Sequence, residues 1–287
     1  MKKSVLITDL DNTLFDWFGV WYASNSAMIE QICRDSNIDK SVLLAEMKVV
    51  HQKHGTAEYA FVLENLPSLQ KLYGSRDNIK SEMNAAIHAF RKARKDKLKL
   101  YDTVEKTLIH LKDEGVLVVA YTESKSYYTS YRIKKLGLDR YIDVLYSPAD
   151  HELPEGEGLN TSFKFDDMEH KWTPEGELKP NPKLLLDIIE SVGATPDKCI
   201  YIGDSEMKDI EMAQQAGVSD VFAKYGTTHF EDNNKEYDLL VAVTHWTDAD
   251  VERERKIKES SHHMPPSNTA ETFSDILEMF DFEAFCK

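Results

Sequence analysis

Apolar residues fall along this chain with two different periods. Five short runs, 5–8, 116–121, 142–146, 199–202 and 220–223, are almost continuously apolar and end at polar or small residues. That is the pattern of strands buried on both faces. Between most of them the apolar positions recur every three or four residues, over 103–114, 127–136, 182–192 and 206–216, which predicts helices. Gly193 and Gly217 follow the last two as C-terminal stops. Strands alternating with helices predict an α/β fold, a doubly wound parallel sheet that receives ligands at the carboxyl ends of its strands.

Two stretches break the alternation. Residues 17–97 are far longer than the crossover of about a dozen residues that parallel strands need. They read as helical at 26–35, 40–53, 57–65 and 77–95, hence as a small inserted helical domain, with 1–16 and 98–287 forming the α/β core. The second stretch, 148–178, is rich in acid, Gly and Pro, and "TSFKFDDMEHKWTPEG" (161–176) within it predicts a short hairpin. After residue 223 the pattern weakens. "DLLVAVTHW" (238–246) reads as an edge strand, 247–259 as a charged helix and 271–280 as a final helix, together a C-terminal extension.

Composition narrows the function classes. With 287 residues, 41 % of them apolar, the chain has material for a full core. A net charge of −15 argues against a nucleic-acid partner, which requires a basic footprint. The one basic patch, Arg91, Lys92, Arg94, Lys95, Lys97 and Lys99, has near-helical spacing and reads as a solvated face. Cys33, Cys199 and Cys286 are scattered and suggest neither a disulfide framework nor a zinc site. No run reaches membrane-span length and no leader pattern opens the chain, so a soluble, cytoplasmic protein with no membrane partner is expected. Oligomeric state is not encoded in any of these features.

The chemistry gathers at strand ends. Asp9 and Asp11 close the first strand, with Thr13 just beyond. Extended chain puts residues i and i+2 on one side, so the two carboxylates repel unless a cation or a shared proton lies between them. An Asx-type turn is the other reading of the same residues. The fourth run continues as "GDSEMKD", with Asp204 at its end and Asp209 five residues on; a helix N-cap also fits there. A parallel sheet delivers both acid groups to one edge. Asp9, Asp11 and Asp204 then form an all-oxygen site of the kind that suits Mg2+. Thr122 ends the second strand beside a helix N-terminus, a place for an anion or a simple cap. Lys179 in "KPNP" precedes a helix that Pro182 starts, and a lone lysine there is ordinarily solvated.

Taken together, "DLDNT" (9–13), "YTES" (121–124), "KPNP" (179–182) and "GDSEMKD" (203–209) resemble the four motifs of the haloacid dehalogenase superfamily of phosphohydrolases, over about residues 4–226. The resemblance implies a Rossmann-like core, with 17–97 as a C1-type cap of the phosphoglycolate phosphatase-like branch. It implies a Mg2+-dependent phosphatase acting on a small-molecule phosphate ester through an aspartyl-phosphate. In that scheme Asp9 is the nucleophile and Asp11 the acid and base, its backbone carbonyl facing the metal. Thr122 and Lys179 hold phosphoryl oxygens, and Asp204 completes the Mg2+ shell. Asp209 and Thr13 support from behind. An acid at Asp11 separates phosphoryl transfer from dehalogenation, in which halide leaves without a proton. The alternatives are a phosphotransferase or mutase of the same fold, and a non-catalytic binding protein. Glu123 stands where the family commonly has Asn, and it is expected to point outward or toward the helical insertion.

Overall fold

A computed structural model describes residues 2–151, 163–230, 235–249, 252, 256 and 264–286. Within these residues the chain forms two compact units, one built from 1–16, 99–228 and 260–287, the other from 17–98 and 229–259.

The first unit is a seven-stranded sheet in which every adjacent pair is parallel. Its strands are β1 (Val5–Thr8), β2 (Leu117–Tyr121), β3 (Val144–Ser147), β4 (Glu169–Trp172), β5 (Cys199–Gly203), β6 (Ser219–Ala223) and β7 (Thr269–Ala270), in the order β4-β3-β2-β1-β5-β6-β7. The chain builds outward from β1 on one side and then returns to add β5 on the other. The β1/β5 seam is therefore a topological switch point, where open α/β sheets bind ligands. Every residue of β1, β3 and β5 is buried, as the apolar runs require. Helices α6 (Val104–Asp113), α7 (Ser126–Leu136), α8 (Pro182–Ser191) and α9 (Glu211–Gln215) lie between the strands in sequence. Asn181 caps α8 by accepting from the Leu184 amide, and Pro182 occupies its first turn.

One strand, β7, escaped the sequence reading, and another, β4, is paired otherwise than expected. In β4 the residues EHKW leave both ends exposed, so no apolar run marks this edge strand. It is a single strand paired in parallel with β3, where a hairpin was expected; residues 161 and 162 of that hairpin lie outside the described residues. β7 is only two residues long. The expected final helix shrinks to one 3₁₀ turn at Phe273–Asp275 and a single α turn, α11 (Ile276–Met279).

The second unit is helical: α1 (Trp17–Ser36), α2 (Lys40–His54), α3 (Pro67–Tyr73), α4 (Arg76–Glu82), α5 (Asn84–Lys97) and α10 (Lys235–Ala242). Asp39 caps α2, and Gly55, in the left-handed region at φ 60°, ends it. The single helix expected over 77–95 is broken at Met83, whose side chain is buried at the joint between α4 and α5. Over 57–65 only a 3₁₀ turn at Leu63–Asn65 forms. The segment read as an edge strand over 238–246 contains instead the end of α10, and its Leu239 and Val243 enter the core of this unit. A short apolar run does not separate strand from helix by itself. Of the helix expected over 247–259, residues 248, 249, 252 and 256 are helical, and 250, 251, 253–255 and 257–259 lie outside the described residues. In the basic stretch Arg91, Lys92, Lys95, Lys97 and Lys99 are exposed while Arg94 is half-buried over the Phe90 ring, and the cations of the last turn of α5 face the negative end of the helix dipole.

Candidate active site

All the residues singled out at strand ends belong to the first unit, and the carboxyl edge of β1, β2 and β5 positions them. The Asp9 amide donates to the Ile202 carbonyl of β5, which ties the start of the acidic turn to the neighbouring strand at 2.9 Å. Beyond it Asn12 turns through the left-handed region at φ 58°, and its amide donates to Phe15 O. Asn tolerates this conformation better than most residues. Gly226 closes in behind; a Cβ there would run into the Asn12 carbonyl.

Lys179 is the centre of the arrangement. Its side chain is 3 % exposed, and its ammonium lies 2.6 Å from Asp9 Oδ1 and 2.8 Å from Asp209 Oδ1. The rings of Tyr121 and Tyr201 flank it at 4.8 and 5.5 Å, an aromatic lining that favours a cation. Burial works against the charge, but Asp209 and then Asp9 outweigh it and hold the ammonium well above its ordinary pKa. Asp209 is itself pinned. Tyr201 donates to its Oδ1 at 2.9 Å and the Ser205 amide to its Oδ2 at 3.1 Å. The helix expected over 206–216 opens with a wide π-type turn at Glu206–Ile210. This turn folds Asp209 back onto Gly203, where a Cβ would collide with its carboxyl group. Gly203 is thus required by close approach.

Negative charge exceeds positive here. Burial pushes the Asp9 carboxyl well above its usual range, and Asp209, Asp204 and Asp11 add to this against Lys179. Burial and then Asp209 push Asp204 up to about 7. Among the described residues no three His, Cys, Asp or Glu side chains form a ready metal cage. Two carboxylates and a carbonyl oxygen are nonetheless a donor set of the kind Mg2+ takes, since that ion keeps several waters and adds substrate phosphate.

The other candidates are placed as follows. Thr122 is buried, and its hydroxyl oxygen accepts from the Ser124 amide at 3.1 Å. The Thr13 hydroxyl is buried without a hydrogen-bond partner, while its carbonyl accepts from Tyr225 OH at 2.7 Å. Thr13 therefore fixes the turn through its backbone. Asp11 accepts from Ser124 Oγ on one oxygen and from Arg132 Nη1 at 3.3 Å on the other.

Ser124, Arg132 and Tyr201 were not identified from the sequence. Arg132 is 121 residues from Asp11 along the chain. The available signal was an arginine on the buried stripe of α7, beside Thr129 and Ile133. Glu123 also departs from expectation. It turns within the first unit, accepting from the Lys179 amide at 2.8 Å and from Lys208 Nζ at 2.9 Å, and so links three of the four motif loops.

The family described as haloacid dehalogenase-like hydrolase matches residues 3–217. The chain belongs to this family. A phosphoglycolate phosphatase of Xylella fastidiosa is 38 % identical over 71 residues, 24 % of this chain and 31 % of the relative. The chain thus spans about a third of the length of the first curated relatives it matches. A glyceraldehyde 3-phosphate phosphatase of Pyrococcus furiosus is 22 % identical over 240 residues, covering 78 % of this chain and 82 % of the relative. Among solved structures, a 2-haloacid dehalogenase of Pseudomonas syringae superposes with a TM-score of 0.55 at 15 % identity, covering 97 % of each chain. A haloacid dehalogenase-type phosphatase of Thermococcus onnurineus gives 0.54 at 17 % identity, covering 99 % of this chain and 100 % of the other. These two establish a shared fold. Among the described residues no helix is long and apolar enough to cross a membrane.

Proposed function

We propose that this protein is a Mg2+-dependent phosphatase that hydrolyses a small-molecule phosphomonoester through an aspartyl-phosphate. The observation that carries the reading is the buried Asp9–Lys179–Asp209 chain, with Asp11 two residues beyond Asp9. An Asp9 oxygen attacks phosphorus while the bond to the leaving oxygen breaks, and Asp11 gives that oxygen a proton. Asp11 then takes a proton from water, the water oxygen bonds to phosphorus, and the Asp9–phosphorus bond breaks. Lys179 and Thr122 hold the phosphoryl oxygens and offset their charge. Asp209, fixed by Tyr201 and the Ser205 amide, orients Lys179.

Asp9, Asp204 and the backbone carbonyl of Asp11 are the groups assigned to hold Mg2+. The excess of carboxylates over Lys179 supports that assignment. When bound, the ion supplies charge neutralisation for the phosphoryl group beside Asp9. The helical unit is assigned the cap's role on the sequence resemblance. The relatives named phosphoglycolate phosphatase and glyceraldehyde 3-phosphate phosphatase favour a small phosphorylated metabolite as substrate.

The test is phosphate release from phosphoglycolate, sugar phosphates, nucleotides and p-nitrophenyl phosphate, with Mg2+ and with chelator. Asp9→Asn is expected to lower turnover by about 1,000-fold or more, as loss of a covalent nucleophile does. Activity that survives chelation, or that persists in Asp9→Asn, overturns the mechanism. Phosphate appearing on an added alcohol in place of water would identify a transferase.

A further inference from the structure

We propose that Arg132 and Ser124 are positioning residues that hold the Asp11 carboxyl in the orientation from which it exchanges a proton with the leaving group. The inference rests on the phosphatase reading and adds two residues to it. Arg132 is 4 % exposed, and its Nη1 lies 3.3 Å from Asp11 Oδ1. Its guanidinium sits over the ring of Phe15 at 5.9 Å and over that of Tyr128 at 5.8 Å. Phe15 is the residue whose backbone closes the turn carrying Asp11, through an Asn12 N–H donated to its carbonyl and a bridge to Asp11 itself. Arg132 therefore grips the turn through its aromatic side chain as well as its carboxylate.

A guanidinium donates hydrogen bonds and accepts none, and it keeps its proton in proteins. Arg132 therefore fixes Asp11 Oδ1 in place as an acceptor and takes no part in the proton exchange itself. Ser124 Oγ donates to Oδ2, and a hydroxyl can donate or accept as the carboxyl changes state. Ser124 is fixed at both ends. Its amide donates to Thr122 Oγ1 at 3.1 Å, and its carbonyl accepts from Thr129 Oγ1 at 2.9 Å. The segment 122–124 thereby joins the proposed phosphoryl-binding hydroxyl to the proposed proton donor. Proton transfer to the leaving oxygen tolerates little misplacement, so loosening either contact weakens acid catalysis while the attack by Asp9 remains intact.

The test compares kcat/KM, which reports phosphoryl transfer to Asp9, for p-nitrophenyl phosphate, phenyl phosphate and a primary alkyl phosphate. The variants are Arg132→Met, Arg132→Lys and Ser124→Ala. A p-nitrophenolate leaves without a proton and an alkoxide does not. Arg132→Met is expected to lower kcat/KM by about 100-fold on the alkyl ester and only several-fold on p-nitrophenyl phosphate. Ser124→Ala is expected to show the same trend more weakly, and Arg132→Lys to restore part of the alkyl activity. An equal loss across the three esters, or no loss, overturns the inference. If Arg132→Met fails to fold by circular dichroism, Ser124→Ala and Arg132→Lys decide the question on the same esters. A parent enzyme that hydrolyses neither these three esters nor any phosphomonoester of the wider screen overturns the phosphatase reading itself, and the inference with it.

Discussion

Lys179 concentrates the energetic risk of this fold. A buried ammonium is tolerated because two carboxylates and two ring faces surround it. Removing it strands Asp9 and Asp209 without their shared cation, and breaking a buried pair from one side is far more costly than replacing the whole pair. Lys179→Met is therefore expected to lose about 3–5 kcal/mol of stability as well as activity. Urea unfolding measures it, and a variant as stable as the parent would show that the two carboxylates find another cation or take up protons cheaply. Glu123 illustrates how a residue identity misleads when read alone. An acid at that position looks unhelpful to phosphate binding, yet both its oxygens are occupied by the Lys179 amide and the Lys208 ammonium.

At the scale of elements, α2 carries a group whose state links pH to stability. His51 is 1 % exposed, and its Nδ1–H donates to the Val243 carbonyl at 2.7 Å. Burial pushes its pKa down to about 4. Between about 6.5, the ordinary value, and about 4 the unfolded chain binds a proton that the folded chain refuses. Stability is therefore full above that window and falls as pH drops through it. Acidification from pH 7 to 5 is expected to remove about 2 kcal/mol through this group alone. Comparing urea midpoints at the two pH values for the parent and His51→Gln checks this: the variant begins less stable but has the flatter pH profile. Equal slopes would show that the imidazole is protonated in the fold. The break at Met83 and the helical state of α10 belong to the same scale, since each follows from which neighbouring surface a short apolar segment meets.

For the whole molecule, a net charge of −15 opposes an anionic substrate. Raising ionic strength from about 10 to 150 mM at fixed Mg2+ shortens the Debye length from about 30 to 8 Å. The value of kcat/KM for a phosphomonoester is therefore expected to rise two- to three-fold over that range, by roughly the relief of long-range repulsion. A fall would show that the field of Lys179 and its surroundings governs encounter. The alternating fold was legible from the chain, because a strand buried on both faces must be continuously apolar and its end is marked by the first polar residue; the same punctuation made Asp9, Asp11, Thr122 and Asp204 candidates, and Lys179 joined them only through the motif resemblance. Local period and local punctuation carry that information. The parallel pairing of β4 and the existence of β7 were not legible, because an exposed edge strand or a two-residue pairing needs no apolar run. Arg132, Tyr201 and the true contacts of Glu123 were hidden for a related reason. Each acts through a partner far away along the chain or through a turn whose shape depends on packing, as Arg132 does across 121 residues to Asp11. Such partnerships exist only once the parallel sheet has brought β1, β2 and β5 to one edge.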